Sequence, residues 1–125
     1  MIIDTDIIIW YMRGNEKARN ALDKYLGFQL SVISYMELVQ GMRNKEELQE
    51  LRKALKEWNT NILFVNEVIS AKALFFIERY YLSHSIEVAD ALIAATAISY
   101  GIPVFTGNYK HYQMINEIEI IRFKH

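Results

Sequence analysis

Short apolar runs alternate with longer amphipathic stretches along the whole chain, and this alternation restricts the fold more than any other feature of the sequence. The apolar runs are residues 1–5, FQLSV (28–32), ILFV (62–65), PVFT (103–106) and IEIIRF (118–123). After the first of them, IIIWYMRG reads as a short helix ending near Gly14. NEKARNALDKYLG then places apolar residues at 18, 21, 22, 25 and 26, the stripe of an amphipathic helix, with Asn15 as its N-cap. SYMELVQG is a further helix with Ser34 as candidate cap. NKEELQELRKALKEW opens with the capping-box-like pair Asn44 and Glu47 and carries Leu48, Leu51, Leu55 and Trp58 on one stripe. Residues 67–82 and 86–100 complete the helices, the last ending at Gly101. Strands separated by helices pair in parallel, because the return path needs a crossover. The expectation is a single α/β domain over residues 1–125, a parallel sheet of about five strands with helices on both faces.

Composition narrows the classes of function. The chain has no cysteine, which excludes a disulfide framework, a thiolate metal site and a thiol nucleophile. No apolar run approaches the ~20 residues of a membrane span. An acid at position 4 also contradicts a secretory leader, so a cytoplasmic protein with no membrane contact is expected. The formal net charge of −1 carries no bulk signal for nucleic acid. It leaves room for a nucleic-acid enzyme whose metal ions supply the local positive charge.

The chemistry must therefore come from particular residues. In an open α/β sheet, ligands bind beyond the carboxyl ends of the strands, near the topological switch point. Four residues fall at such places. Asp4 ends the first run, Glu37 lies one turn into the helix after the second, Asp90 interrupts the apolar EVADALIAATA, and Asn108 follows the fourth run in TGN. Each has an ordinary reading. Asp4 is a possible turn former, Asp6 a helix cap, Glu37 a solvated helix residue, and Asp90 an acid that complements a helix dipole.

Taken together they say more. Carboxylates converging at a sheet edge repel one another and titrate abnormally unless a cation lies between them. A donor set made of oxygens alone suits Mg²⁺ or Mn²⁺ better than Zn²⁺. Such an ion polarises a phosphoryl oxygen and lowers the pKa of an attacking water, which points to phosphodiester or phosphomonoester hydrolysis.

MIIDTDIII, SVISYMELVQG and EVADALIAATAISYGIPVFTGNYKHY together resemble the PIN-domain ribonucleases, specifically the VapC-type toxins of type II toxin–antitoxin systems. The resemblance runs from residue 1 to about residue 112 and rests on four motifs in order: D-T-D, S-x-x-E, D-x-L-I-A-A and T-x-N-x-x-H-Y. It implies a PIN-like (Rossmann-like) fold and a metal-dependent endoribonuclease that cleaves RNA, is inhibited by a small antitoxin protein and commonly forms a homodimer. By position, Asp4 and Asp90 would be the principal metal ligands and Glu37 the third acid. Thr106 and Asn108 match the last motif. Many members carry an acid where this chain has Asn108, which favours one tightly held ion here.

Asp6 would cap the following helix or support the site from behind. His111 is a candidate base or a hydrogen-bonded structural residue. Arg13, Arg43 and Lys110 are candidate phosphate contacts, and Tyr35 and Tyr109 candidates for stacking on bases or for burial. Leu48, Leu51, Leu55 and Trp58 serve either the core or a partner surface.

Two other classes share parts of this pattern. The D-x-D opening also fits haloacid-dehalogenase-type phosphatases, with Asp4 as nucleophile and Asp6 as general acid. That family would put Thr or Val where Ile8 stands, and it leaves Glu37 without a task. A receiver domain needs an aspartate after its third strand, where this chain has Asn66.

Overall fold

The computed structural model describes all 125 residues. Five short strands form one parallel sheet: β1 (Ile2–Ile3), β2 (Gln29–Ser31), β3 (Asn61–Leu63), β4 (Val104–Thr106) and β5 (Ile120–Arg122). Their spatial order is β3-β2-β1-β4-β5. Six helices connect them: α1 (Thr5–Met12), α2 (Glu16–Lys24), α3 (Val32–Gln40), α4 (Lys45–Glu57), α5 (Glu67–His84) and α6 (Val88–Tyr100). The chain steps outward from β1 to β3, then returns through α5 and α6 to place β4 on the other side of β1. The switch point therefore lies between β1 and β4, where open α/β sheets have their binding crevice at the carboxyl ends of the strands.

Adjacent strand residues point to opposite faces of the sheet, so the apolar strands feed two cores. Ile2 and Val104 face α5 and α6, where Ala91, Ala94 and Ala97 let the helix approach the sheet closely. Ile3 and Phe105 face α1 to α4 and pack with Leu22, Leu30, Leu51 and Trp58. The α4 stripe is accordingly core: Leu51, Leu55 and Trp58 are buried, and only Leu48 is partly exposed.

Local structure departs from the sequence reading at two caps. Helix α1 starts at Thr5, two residues before the expected IIIWYMRG segment, and its N-cap is Asp4, whose Oδ1 accepts the Thr5 amide at 2.8 Å. Asp6 is not the cap; it lies in the first turn. The reason is the sheet. The Asp4 amide still donates to the Phe105 carbonyl at 2.9 Å, so extended backbone reaches residue 4 and the helix begins at once. Ser31, not Ser34, caps α3, its Oγ accepting the Ile33 amide at 3.1 Å. Ser34 is buried inside the helix. The caps Asn15 and Asn44 are as expected. No helix is long and apolar enough to cross a membrane.

Candidate active site

Asp4 is the centre of the crevice and is 4% exposed. Thr106, at the end of β4 and fully buried, donates its hydroxyl to Asp4 Oδ2 at 2.7 Å. The same hydroxyl oxygen accepts the Asn108 amide at 2.9 Å, which folds the chain into the turn after β4. Asp4 is thus fixed through one oxygen by the helix it caps and through the other by the neighbouring strand.

Three further acids surround it. Asp90, in the first turn of α6, accepts the Tyr112 hydroxyl on Oδ1 at 3.3 Å and meets His111 Nδ1 through Oδ2 at 3.2 Å. Asp6 accepts the Gly107 amide on Oδ2 at 3.0 Å, while its Oδ1 is buried without a hydrogen-bond partner. Glu37 reaches the site through Thr5, whose hydroxyl donates to Glu37 Oε1 at 2.9 Å. Thr5 also gives its amide to Asp4, so one residue holds two of the expected acids.

The electrostatics follow from this crowding. Burial raises the Asp4 carboxyl above its ordinary value, against the stabilising hydrogen bonds from Thr106 and Thr5. Burial and then the Asp4 charge push Asp6 up to about 7. Burial and the Asp4 charge likewise push Asp90 up to about 6, with His111 pulling the other way. Tyr112, packed among these groups, is raised well above its usual value by burial and by Asp4, so it stays a hydrogen-bond donor. Negative charge is concentrated here with only His111 to offset it. Even so, no three acidic or histidine side chains stand close enough together to form a ready-made ion cage. Asp4, Asp6 and Asp90 form the interacting core, and Glu37 stands at its side.

The other expected residues lie outside this core. Asn108 is exposed and its side chain caps nothing. Lys110 is exposed in the single 3₁₀ turn that follows. Arg13 ends α1, roughly 12 Å from Thr5 along the helix axis. It lines a cavity of about 420 Å³ with Glu37, Leu38 and Met42. Arg43 is engaged with Glu47 at 2.7 Å and Tyr35 packs against the second core. Sequence reading missed three elements: Thr5 as the link to Glu37, Gly107 as the partner of Asp6, and Tyr112 as a buried donor to Asp90. Gly107 had a detectable signal only in its position between Thr106 and Asn108. A Cβ there would come within 2.6 Å of Asp6 Oδ2.

The chain matches a known family. Residues 1–116 match the PIN domain. Ribonuclease VapC10 of Mycobacterium tuberculosis is 32% identical over 123 residues, covering 95% of this chain and 90% of that protein. Ribonuclease VapC of Rickettsia bellii is 31% identical over 127 residues, covering 97% and 94%. Among solved structures, a toxin–antitoxin complex from Klebsiella pneumoniae superposes with a TM-score of 0.80 at 25% identity, covering 96% of this chain and 94% of that one. VapBC-1 from nontypeable Haemophilus influenzae has the same fold, with a TM-score of 0.79 at 23% identity over 97% of this chain and 96% of that one. The five-stranded parallel sheet, together with these matches, makes this chain a PIN domain protein of the VapC ribonuclease family.

Proposed function

We propose that this protein is a metal-dependent endoribonuclease, the toxin member of a toxin–antitoxin pair, with its active centre at Asp4, Asp90 and Glu37. The observation that carries this reading is the Asp4 environment. A buried carboxylate at the β1/β4 switch point is locked by Thr5 and Thr106 beside two aspartates that it repels. A fold gains nothing in stability from packing like charges together, so the arrangement is best understood as a site built for a cation.

The residues fit a hard divalent ion. All the donors are oxygens, Asp6 and Asp90 are both raised by burial and then by the Asp4 charge, and Asp6 Oδ1 has no partner of its own. Asp4 and Asp90 would hold Mg²⁺ or Mn²⁺, with Glu37 as third acid. Such an ion, when bound, supplies Lewis acidity toward a phosphoryl oxygen and an attacking water. The rest is done by the chain. Thr106 and Thr5 keep the Asp4 and Glu37 side chains in single orientations, and Tyr112 and His111 do the same for Asp90. Asn108, free at the rim, is placed to hydrogen-bond a substrate oxygen, while Arg13 and Lys110 offer charge to neighbouring phosphates. Attack by water, and not by the ribose 2′-hydroxyl, leaves 5′-phosphate and 3′-hydroxyl ends.

A small antitoxin protein is the proposed partner. A groove of about 540 Å³ between α1–α2 and α4 has Met12, Leu51 and Trp58 in its lining, and there Glu16, Glu47, Glu50 and Glu57 outnumber Arg19 and Lys53. It suits an amphipathic helix with a basic flank. On another face, α5 exposes Leu74, Phe75, Tyr81 and Leu82, apolar area consistent with pairing of two copies in solution.

Cleavage of structured RNA in the presence of Mn²⁺, followed by end analysis, tests the reading. Asp4→Asn and Asp90→Asn are expected to lose at least about a hundredfold in rate, as removal of a principal electrostatic stabiliser does. Asp6→Asn is expected to retain measurable cleavage, whereas a phosphatase mechanism using Asp4 and Asp6 would lose everything with either change. Equal cleavage by wild type, Asp4→Asn and Asp90→Asn, or cleavage indifferent to EDTA, overturns the proposal.

A further inference from the structure

The carboxyl edge of the sheet carries one more feature that the acids do not explain. Arg122 ends β5 and is the register partner of Thr106, so its Cα lies about 4.8 Å from that of the residue whose hydroxyl holds Asp4. Register partners in a parallel pair project to the same side of the sheet. Arg122 is exposed, and its guanidinium carbon sits 4.2 Å from the centroid of the Tyr109 ring. This is the tightest cation–ring contact in the molecule; the others lie between 5.3 and 6.0 Å. Tyr109 directly follows Asn108, in the turn that leaves the site.

Two properties make this pair more than a surface contact. Arg122 forms no ion pair, so its charge is not already committed to an acid of this chain. Contact with the Tyr109 ring face restrains the guanidinium and leaves N–H groups free to donate. Charge is also segregated along this edge of the domain. Lys110, Arg122 and Lys124 stand at the carboxyl end of β4 and β5, whereas Glu119 precedes the start of β5 and Glu117 is engaged by Lys72 at 2.7 Å. A polyanion approaching the site meets repulsion at Asp4, Asp6 and Asp90 and needs fixed cations next to them.

We propose that Arg122, oriented by Tyr109, binds an RNA phosphate adjacent to the one being cleaved and so positions the strand across the acids. The inference rests on the ribonuclease reading. Arg122 fixes where the substrate lies, Tyr109 fixes where Arg122 points, and neither takes part in the chemistry.

The test uses the cleavage-silent Asp90→Asn protein and a fluorescent oligoribonucleotide, with affinity measured between about 50 and 200 mM salt. Added Arg122→Ala is expected to weaken binding about tenfold and to lower the salt slope by about 1, the signature of one lost phosphate contact. Arg122→Lys should keep the slope and lose part of the affinity, because a lysine retains the charge but not the guanidinium. Tyr109→Ala should lose affinity with little change of slope. In the cleaving protein, Arg122→Ala should raise KM and leave kcat nearly unaltered. Unchanged affinity and slope in Arg122→Ala, with RNA still bound by the parent, overturn this inference alone. Failure of the wild type to cleave any RNA overturns the ribonuclease reading instead, and this inference with it.

Discussion

Two groups of carboxylates in this molecule are treated in opposite ways. At the entry to α4, Glu47 receives the Arg43 guanidinium at 2.7 Å and the Arg43 amide at 2.7 Å, and its carboxyl is held below its ordinary value. In the crevice between β1 and β4, Asp6 and Asp90 receive burial and a neighbouring anion, and both are pushed up. The first acid lies at the surface with a cation of its own and completes a helix cap. The second group sits at the switch point with hydrogen bonds to some oxygens and no cation except a histidine. The chain gives the first acid a cation of its own, and the crowding of the second group is what the proposed cation would relieve.

The largest effect that follows is on stability in the absence and presence of a divalent ion. Asp6 titrates near 7 and Asp90 near 6 in the folded protein, both above the ordinary 3.8. Between about pH 4 and 7 the folded state therefore binds more protons than the unfolded one, so metal-free stability falls as pH rises through that window. The deficit is complete above about pH 7, where an ion in competition with protons binds best. Thermal unfolding with Mn²⁺ against EDTA should show a small shift near pH 5 and a large one above pH 7. At a hundred times its dissociation constant the ion contributes about 2.7 kcal/mol. Asp90→Asn should raise the melting temperature of the metal-free protein by several degrees above pH 7 and remove most of the response to Mn²⁺. A melting temperature that climbs with pH in EDTA, or an unchanged Mn²⁺ response in Asp90→Asn, would break the comparison at its centre.

A smaller effect tests how the crevice is held together. Gly107 is required because a Cβ would stand 2.6 Å from Asp6 Oδ2 and 3.5 Å from the Phe123 ring and carbonyl oxygen. Gly107→Ala should cost about 1–3 kcal/mol, since an Asp side chain anchored in the first turn of α1 has little room to retreat. In the Asp6→Ala background most of that cost should vanish. Denaturant unfolding of the two single variants and the double variant measures the coupling, expected at roughly 1 kcal/mol or more. Additive costs would mean that Gly107 is needed for another reason.

The fold was legible because hydrophobic alternation is a local property. Which residues are apolar, and at what period, does not depend on their distant neighbours. Asp4 and Asp90 stood out as candidates for a related reason, since a charge among Ile, Ala and Leu contradicts its surroundings. What remained hidden depends on register across the sheet. Asp4 and Asp6 are equally good caps by type, and the choice is made by a hydrogen bond from Asp4 to Phe105 across the chain. The Asp6–Gly107 and Asp4–Thr106 contacts join residues 101 and 102 positions apart, and Thr5 reaches Glu37 across 32. Arg122 lies outside every motif and becomes visible only when β5 is paired with β4. The strands are also shorter than the apolar runs that announced them. ILFV, for example, keeps only Leu63 buried, while Phe64 leaves the sheet and is 67% exposed.

The smallest effect comes from the acid that already has its partner. Glu47 Oε2 accepts from Arg43 Nη2 at 2.7 Å and Oε1 accepts the Arg43 amide, both at an exposed position next to the cap that Asn44 provides. Exposed i, i+4 pairs are screened by water and salt, and holding two long side chains in one geometry offsets what attraction remains. Glu47→Gln keeps an acceptor for the Arg43 amide and loses only the charge. It should leave RNA cleavage and the Mn²⁺ response unchanged and shift the melting temperature slightly downward, with the shift vanishing at high salt. The identical chemical change, acid to amide, is thus expected to raise metal-free stability at Asp90 and to lower it at Glu47. Melting curves of the two variants side by side in EDTA above about pH 7 decide the matter, since a rise at both positions would show that net acidity, and not the particular crowding at the β1/β4 crevice, is what the fold resists.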